Sequence, residues 1–248
     1  MQYGICLISL VPMRAEPAHR SEQVSQLLYG ECFLVINSQQ NWVQIQNRHD
    51  GYRGWILAEQ ATILPQDLYE TYGRCNQFSS ELVSFVEFPN GLRQPILLGS
   101  PLVEIPEVVY HGQEFLFKPT TQYAKLDNLR ELAATLLGAP YAWGGRSPFG
   151  IDCSGLVQLL FRMIGIKIPR DAHQQSEEGS LVPLDEMQAG DLAFFKNEQG
   201  KISHVGLVWE NEKIFHAAAQ VRVDDLHRKG IFDGEKYTHQ LAWVRRFW

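Results

Sequence analysis

The first 64 residues contain only short apolar runs, and each run is interrupted within a few residues by turn-forming residues. The apolar runs are ICLISLV, CFLVIN, WVQIQ and GWILAE, and the turn residues between them are Gly30, Asn41, Asp50, Gly51 and Gly54. Val, Ile, Trp and Phe at nearly alternating positions favour strands. No run has the period of an amphipathic helix. Residues 1–64 are therefore predicted to form the antiparallel strands of a small barrel.

The next segment, residues 65–118, has the same texture. Its apolar runs are SFVEF, ILL, PLVEI and EFLF, and they are separated by Pro89, Asn90, Gly91, Gly99, Ser100, His111 and Gly112. Short apolar runs separated by turn-forming residues are typical of strands joined by turns. The segment predicts a second β module, which is short enough for us to interpret it as a degenerate copy of the first.

The pattern changes after Lys118, where helical periodicity begins. One helical face is formed by Leu126, Leu129, Leu132, Ala133, Leu136 and Leu137, and a second helix is predicted from Cys153 to Ile164, closed by Gly165. Four strands follow: DLAFF, HVGLVWE, KIFHAAA and LAWVRRFW. Helices followed by strands indicate an α+β domain over residues 119–248, preceded by all-β modules.

Composition narrows the functional classes. The net charge is −6 and basic residues do not cluster, which disfavours nucleic acid as a partner. The four cysteines have no CxxC spacing, which disfavours a zinc knuckle, an iron–sulfur cluster or a disulfide scaffold and favours a reducing compartment. No apolar stretch approaches the roughly 20 residues that span a bilayer. We expect a cytoplasmic protein without a membrane partner; no pattern indicates its oligomeric state.

Cys153 is the candidate nucleophile. It follows the glycine-rich run PYAWGGRSPFGID and begins the second predicted helix, where free N–H groups and the positive end of the helix dipole favour thiolate over thiol. We therefore expect a lowered thiol pKa and covalent catalysis. The alternative is a cysteine that acts as a small buried hydrophobic residue.

Two histidines are candidates for the base that such a nucleophile needs. His204 and His216 lie on consecutive strands, and they share a face only if the connection near Asn211 is odd in length, about three residues. The alternative for each is a surface or satisfied core histidine. Zinc bound by Cys153, His204 and His216 is a further alternative, but no fourth ligand is evident. We expect neither a metal nor another cofactor.

These segments together carry a resemblance. YAWGGRSPFGIDCSGLVQ, IPRDAHQQSEEG, AGDLAFF and ISHVGLVWENEKIFHAAA occur in the order of the NlpC/p60 family of papain-like cysteine peptidases, which act on bacterial cell-wall peptides. The resemblance covers about residues 125–248. It implies that Cys153 is the nucleophile, His204 the general base and acid, and His216 the residue that orients His204. It also implies that Tyr141 stabilises the oxyanion together with the Cys153 N–H.

The amino-terminal half resembles a bacterial SH3-like domain in PMRAEPAHRSEQVSQLLYGE and WVQIQNRHDGYRGWI. The whole arrangement resembles the cytoplasmic dipeptidyl-peptidases that trim recycled peptidoglycan stem peptides. This resemblance implies cleavage of the γ-D-glutamyl bond to the diamino acid and a requirement for a free amino-terminal L-alanine. Asp152, Glu16 and Tyr52 would bind the amine. Their alternatives are a helix N-cap, a solvated loop charge and a barrel-edge aromatic.

Arg170 and Ser154 are expected to contact the D-glutamyl carboxylate, since guanidinium groups suit carboxylates. Ala172 stands where much of this branch has a small hydroxyl residue. Two other functions remain open: an endopeptidase or amidase that acts on intact peptidoglycan through wall-binding SH3-like modules, and an inactive peptide-binding module. The sequence does not choose between lysine and diaminopimelate as the diamino acid of the murein stem peptide.

Overall fold

The chain was analysed as a computed structural model, which describes residues 2–112, 114–116, 122–210 and 212–248. It divides into two compact units. The first unit is formed by Met1–Lys118 with Trp143–Pro148, and the second by Pro119–Ala142 with Phe149–Trp248. The predicted boundary near residue 118 therefore coincides with a division between units, whereas the short segment Trp143–Pro148 groups with the first unit.

The first unit is built mainly from strands. They are β1 (Gln2–Ile5), β2 (Leu10–Arg14), β3 (Gln23–Leu28), β4 (Cys32–Gln39), β5 (Trp42–Asn47), β6 (Arg53–Leu57), β7 (Thr62–Leu64), β8 (Gln77–Ser79), β9 (Val83–Glu87), β10 (Arg93–Leu97), β11 (Val109–His111) and β12 (Glu114–Leu116). β1 to β7 form one sheet in the order β3-β2-β6-β5-β4-β1-β7. The strands predicted for residues 1–64 are therefore confirmed.

The second β segment shares its core with the first. Ile5 and Cys32 of the seven-stranded sheet pack with Tyr69 and Val103. Tyr69 belongs to a helix that the sequence did not predict, α1 (Gln66–Tyr72). The predicted strand PLVEI is wrong, because Leu102 to Ile105 form no regular structure. Leu102 and Val103 are buried in two different clusters, so they contribute to the core without a strand.

A buried ion pair lies within the first unit. Arg146 donates from Nη1 to Glu31 Oε2 at 2.9 Å and from Nη2 to Oε1 at 3.0 Å, and each side chain is 1% exposed. Arg146 also donates to the carbonyl of Gln26 at 2.6 Å. This bidentate contact fixes the segment Trp143–Pro148 against strand β3 and the turn that follows it.

We expect Glu31→Ala to lower the free energy of unfolding by about 3–5 kcal/mol, because it leaves the Arg146 guanidinium buried without its carboxylate. Urea unfolding followed by tryptophan fluorescence measures the change. The control is Glu87→Ala, which removes an exposed pair with Arg93 and should cost no more than about 1 kcal/mol. Equal losses in the two variants would contradict this account of the buried pair.

The second unit combines helices with a closed sheet. Its elements are α2 (Gln122–Thr135), β14 (Gly150–Ile151), α3 (Cys153–Met163), α4 (Ala172–Gln175), β15 (Ser180–Val182), β16 (Leu192–Lys196), β17 (Ile202–Glu210), β18 (Lys213–Ala218), β19 (Gln220–His227), β20 (Gly230–Phe232) and β21 (Tyr237–Arg246). The short strand β13 (Arg146–Ser147) belongs to the segment that groups with the first unit. The sheet order is β15-β21-β16-β17-β18-β19-β20, and β20 also pairs with β21. That last pairing closes six strands into a barrel.

Helix α3 is the central element of the second unit, and all of its residues are buried. It packs against β17 and β18, so these two strands lie beside the helix that begins at Cys153. The predicted end at Ile164 differs by one residue from the observed end, and Gly165 follows with a positive φ of 75°. The α+β class is confirmed. In the part of the chain described here, no helix has the length and hydrophobicity needed to cross a membrane.

Candidate active site

The local sequence explains why a helix begins at Cys153. Asp152 is the N-cap: its backbone is extended, with φ −93° and ψ 174°, and its carboxylate accepts a hydrogen bond from the Gly155 N–H at 2.7 Å. An aspartate at this position satisfies one of the free donors of the first turn. Cys153 is therefore the first residue of α3. Its sulfur accepts from the backbone N–H groups of Ser154 and Val205.

The pKa of Cys153 differs from the expectation. Burial raises the pKa of the Cys153 thiol to about 12, and the neighbouring Asp152 carboxylate raises it further. The N–H groups of Val205 and Ser154 and the charge of Arg170 act in the opposite direction. The helix-start position therefore does not overcome desolvation. We therefore expect Cys153 to be a neutral thiol before substrate binds and to need a base that removes its proton.

His204 and His216 share a face of the β17–β18 hairpin, but not for the predicted reason. Glu210 pairs with Lys213, so only two residues join the strands, and the register shifts between Val208 and Glu210. A two-residue loop alone would place the two histidines on opposite faces of the sheet. The bulge adds one residue to β17, so that both side chains lie on the same face, as they would with a three-residue loop. Asn211, where the odd loop was expected, lies outside the described residues.

The two histidines are hydrogen-bonded to each other. His204 Nε2 lies 2.9 Å from His216 Nδ1, and His216 Nε2 lies 3.0 Å from Asp224 Oδ2. Both histidines are buried. Asp224 lies on β19 and was not predicted from the sequence. Its Oδ2 atom also accepts from Arg222 Nε at 2.8 Å.

This chain of contacts fixes the protons of both imidazoles. An ionised carboxylate only accepts, so His216 carries its proton on Nε2 and presents an unprotonated Nδ1. His204 must then donate from Nε2, which leaves the lone pair on its Nδ1. The backbone N–H of Val205, the residue that follows His204, donates a hydrogen bond to the Cys153 sulfur. His204 Nδ1 is thus the ring nitrogen of His204 that can accept a proton.

The electrostatics keep this base neutral. Burial lowers the pKa of His204 well below 6.5, and the nearby His239 and His216 lower it further. Burial also lowers the pKa of His216, although the hydrogen bond to Asp224 opposes the shift. A neutral imidazole accepts a proton, so His204 remains competent as a base at pH values below 6.5.

Asp152, Ser154 and Arg170 form one buried cluster. Arg170 donates from Nη2 to Asp152 Oδ2 at 2.6 Å, from Nη1 to Asp152 Oδ1 at 3.0 Å and from Nη1 to Ser154 Oγ at 2.9 Å. Asp152 is thus both the N-cap and the partner of a buried guanidinium. Ala172 is the first residue of the short helix α4, which follows Arg170. The substrate contacts expected for this cluster stay predictions.

Tyr141 lies close to the nucleophile. Burial, followed by the charges of Cys153 and Asp152, raises the pKa of Tyr141 to about 12. The phenol therefore keeps its proton and can donate a hydrogen bond to an oxyanion. Its backbone N–H donates to the Ala219 carbonyl at 2.9 Å, which ties the segment to the turn between β18 and β19.

The remaining two predicted residues belong to the first unit. Glu16 lies on the exposed loop between β2 and β3, where its backbone N–H donates to Ser21 Oγ at 2.9 Å. Tyr52 precedes β6 and packs partly against the core of the seven-stranded sheet. Their role in binding an amine stays a prediction. Among the described residues, no group of three or more His, Cys, Asp or Glu side chains is arranged to hold a metal ion.

Comparison with known proteins gives two family matches. Residues 138–239 match the NlpC/P60 family, and residues 13–60 match the bacterial dipeptidyl-peptidase SH3 domain. The first range contains Tyr141, Cys153, His204 and His216. The second contains Glu16 and Tyr52.

Two similar proteins are gamma-D-glutamyl-L-lysine dipeptidyl-peptidases. That of Bacillus subtilis (strain 168) is 33% identical over 215 residues, covering 78% of this chain and 71% of the relative. That of Bacillus cereus (strain ATCC 10987 / NRS 248) is 26% identical over 265 residues, covering 90% and 74%. The crystal structure of an NlpC/P60 family protein from Bacillus cereus ATCC 10987 has a TM-score of 0.81 at 19% identity and covers 99% of both chains. At that identity the likeness supports the fold alone.

Proposed function

Because the chain belongs to the NlpC/P60 family of cysteine peptidases, we propose that it hydrolyses the γ-D-glutamyl bond to the diamino acid in peptidoglycan stem peptides that carry a free amino-terminal L-alanine. The products are L-Ala-γ-D-Glu and the diamino acid or the peptide that begins with it. The observation that carries this proposal is the hydrogen-bonded set His204, His216 and Asp224, linked to Cys153 through Val205, which follows His204 and whose N–H donates to the sulfur.

The first half of the reaction transfers the acyl group to the enzyme. His204 Nδ1 accepts the thiol proton as the Cys153 sulfur attacks the γ-carbonyl of D-glutamate. The Tyr141 hydroxyl and the Cys153 N–H donate to the oxyanion, and each such donor is typically worth about 3 kcal/mol. The carbon–nitrogen bond then breaks, and the protonated His204 gives its proton to the departing amine.

The second half hydrolyses the thioester. A water molecule loses a proton to His204 Nδ1 as its oxygen attacks the thioester carbonyl. The carbon–sulfur bond breaks, and the proton on His204 returns to the Cys153 sulfur. His216 stays neutral throughout, since its hydrogen bond to the Asp224 carboxylate holds its proton on Nε2.

In this proposal Asp152, Glu16 and Tyr52 bind the free amino group of the substrate, as predicted from the sequence. A carboxylate restores the hydrogen bonds that an ammonium loses when it leaves water. Ser154 and Arg170 are the predicted partners of the D-glutamyl carboxylate. The same Arg170 guanidinium holds Asp152 in place through two hydrogen bonds.

We place this activity in peptide recycling within the cytoplasm. None of the four cysteines, Cys6, Cys32, Cys75 and Cys153, forms a disulfide, which suits a reducing compartment. A requirement for a free amino-terminal alanine also suits soluble stem peptides, because in intact peptidoglycan that amine is acylated.

The test compares three substrates: free L-Ala-γ-D-Glu-diamino acid tripeptide, the same tripeptide acetylated on its amine, and intact sacculi. We expect acetylation to lower kcat/KM by roughly 10- to 100-fold, because an acetylated nitrogen carries no charge and can no longer make charge-assisted hydrogen bonds to Asp152, Glu16 and Tyr52. Mass spectrometry of the products identifies the bond, and lysine and diaminopimelate versions identify the diamino acid. Equal rates on free and acetylated peptide, with release from sacculi, would instead favour the wall endopeptidase.

A further inference from the structure

A third histidine covers the catalytic imidazole. The rings of His204 and His239 are stacked, with centroids 4.1 Å apart and planes inclined by 26°. By contrast, His216 meets the His204 ring at 85°, edge to face, through the hydrogen bond described above. His204 thus has one neighbour that bonds its Nε2 atom and another that lies flat on its ring.

The sheet places His239 beside His204. β16 pairs with both β17 and β21, and Phe195 of β16 lies opposite both His204 and Leu241. His239 precedes Leu241 by two residues on β21, so their side chains point to the same face of the sheet. Phe195 also contacts both imidazoles, with ring centroids 5.7 Å from His204 and 6.1 Å from His239.

His239 separates His204 from an open cavity. That cavity has a volume of about 760 Å³, and its lining includes Ser203, Tyr237, Thr238, His239 and Gln240. His239 Nδ1 lies 2.9 Å from the hydroxyl of Thr238, which restricts rotation of the ring. One face of the His239 ring therefore lies against His204, while the half-buried residue also lines the cavity.

We propose that His239 is a positioning residue for His204: its ring covers the imidazole, fixes the rotation that aims Nδ1 at the Cys153 sulfur, and keeps cavity water from the His204–His216 hydrogen bond. The proposal rests on the assignment of His204 as the base. A flat ring lying on a side chain limits its rotation about χ2, which is otherwise broad for histidine. A buried hydrogen bond weakens when water competes for its atoms.

The charge state of His239 is compatible with this role. Burial, followed by the neighbouring His216, lowers the pKa of His239 to about 4. The ring is therefore neutral over the range in which a neutral His204 acts as a base. The charges of His239 on β21 and His216 on β18 act on His204, and those of Asp224 and Arg222 on β19 act on His216 and His239. The thiol of Cys153 on α3 accepts from the N–H of Val205, which follows His204.

The test uses His239→Ala, which removes the ring, and His239→Phe, which keeps a flat ring without its nitrogens. We expect His239→Ala to lower kcat by about 10- to 100-fold while KM changes by less than about twofold. We also expect the acid limb of the pH profile of kcat/KM to move to higher pH, because His204 becomes less buried and loses the contribution of His239 to its lowered pKa. His239→Phe should restore both properties toward those of the parent.

The matched control is His227→Phe, which changes a histidine of β19 that stacks on Phe232 instead. It should retain the parent kcat and acid limb. The proposal would be overturned if His239→Ala kept the parent kcat and the parent acid limb of the pH profile. It would also be overturned if His239→Phe lost as much kcat as His239→Ala.

A second measurement needs no substrate. In a Cys153→Ala background, imidazole NMR follows the titration of His204 directly, and we expect its pKa to rise toward 6.5 when His239→Ala is added. An unchanged His204 titration overturns the role of His239. If the parent chain cleaves no stem peptide, the proposed substrate is wrong, while this titration still decides the role of His239.

Discussion

Cys153→Ala is expected to lower kcat/KM on the free tripeptide by about 10⁴-fold or more, because no acyl-enzyme can form without the sulfur. Binding should persist, since the Asp152–Arg170 cluster and Tyr141 remain in place. Hydrolysis followed by mass spectrometry measures the rate, and isothermal calorimetry measures the binding. The control is Cys75→Ala, which removes a partly exposed thiol of the first unit and should leave activity unchanged.

The reactivity of the thiol sharpens this prediction. With burial raising the pKa of Cys153 to about 12, its alkylation by iodoacetamide should be slow at neutral pH and should rise steadily through the alkaline range. A constant rate from mildly acidic pH upward would indicate a thiolate paired with a protonated His204. Undiminished hydrolysis by Cys153→Ala would remove Cys153 from the mechanism.

The position of Cys153 at the start of a helix was predictable because it depends on local chemistry. A glycine-rich run, an aspartate with good capping properties and an apolar stripe together specify where α3 begins. The thiol pKa was not predictable from the same residues. The helix dipole is a local property, whereas desolvation of Cys153 depends on strands that lie more than 40 residues further along the chain.

The hairpin shows a second limit. The shared face of His204 and His216 followed from strand periodicity, but the bulge that produces it depends on tertiary contacts. The side chain of Trp209 stacks on Phe215 with centroids 5.1 Å apart. Arg130 of α2 donates from Nε to the Trp209 carbonyl at 3.1 Å. The contact with Arg130 involves a residue of another helix, so the bulge at Trp209 could not be predicted from the sequence of the hairpin alone.

Asp224 was missed because two adjacent aspartates are equivalent in sequence. The run QVRVDDLH alternates as a strand, and this signal could have extended the predicted sheet to β19. The register then decides between the two. Arg222 lies opposite His216, and Asp224 follows Arg222 by two residues on the same face, whereas Asp225 pairs with Lys213 on the other face.

Asp224→Ala is therefore expected to lower kcat by on the order of 10²- to 10⁴-fold with little change in KM. Without a carboxylate, the proton of His216 is no longer confined to Nε2. When it moves to Nδ1, His204 must present its own Nε2 as acceptor, and its proton then occupies the Nδ1 atom that should receive the thiol proton. Steady-state kinetics on the free tripeptide separate kcat from KM, and circular dichroism confirms that the variant is folded.

The neighbouring residue supplies the control for that effect. Asp225→Ala removes a half-exposed carboxylate that pairs with Lys213, so it matches Asp224→Ala in residue type, strand and change of charge. Its kcat should stay within about twofold of the parent, because exposed ion pairs contribute little. A similar loss in both variants would mean that β19 tolerates no change of charge. A loss confined to Asp224→Ala would mean that the Asp224 carboxylate determines which nitrogen carries the proton in His216 and, through His216, in His204.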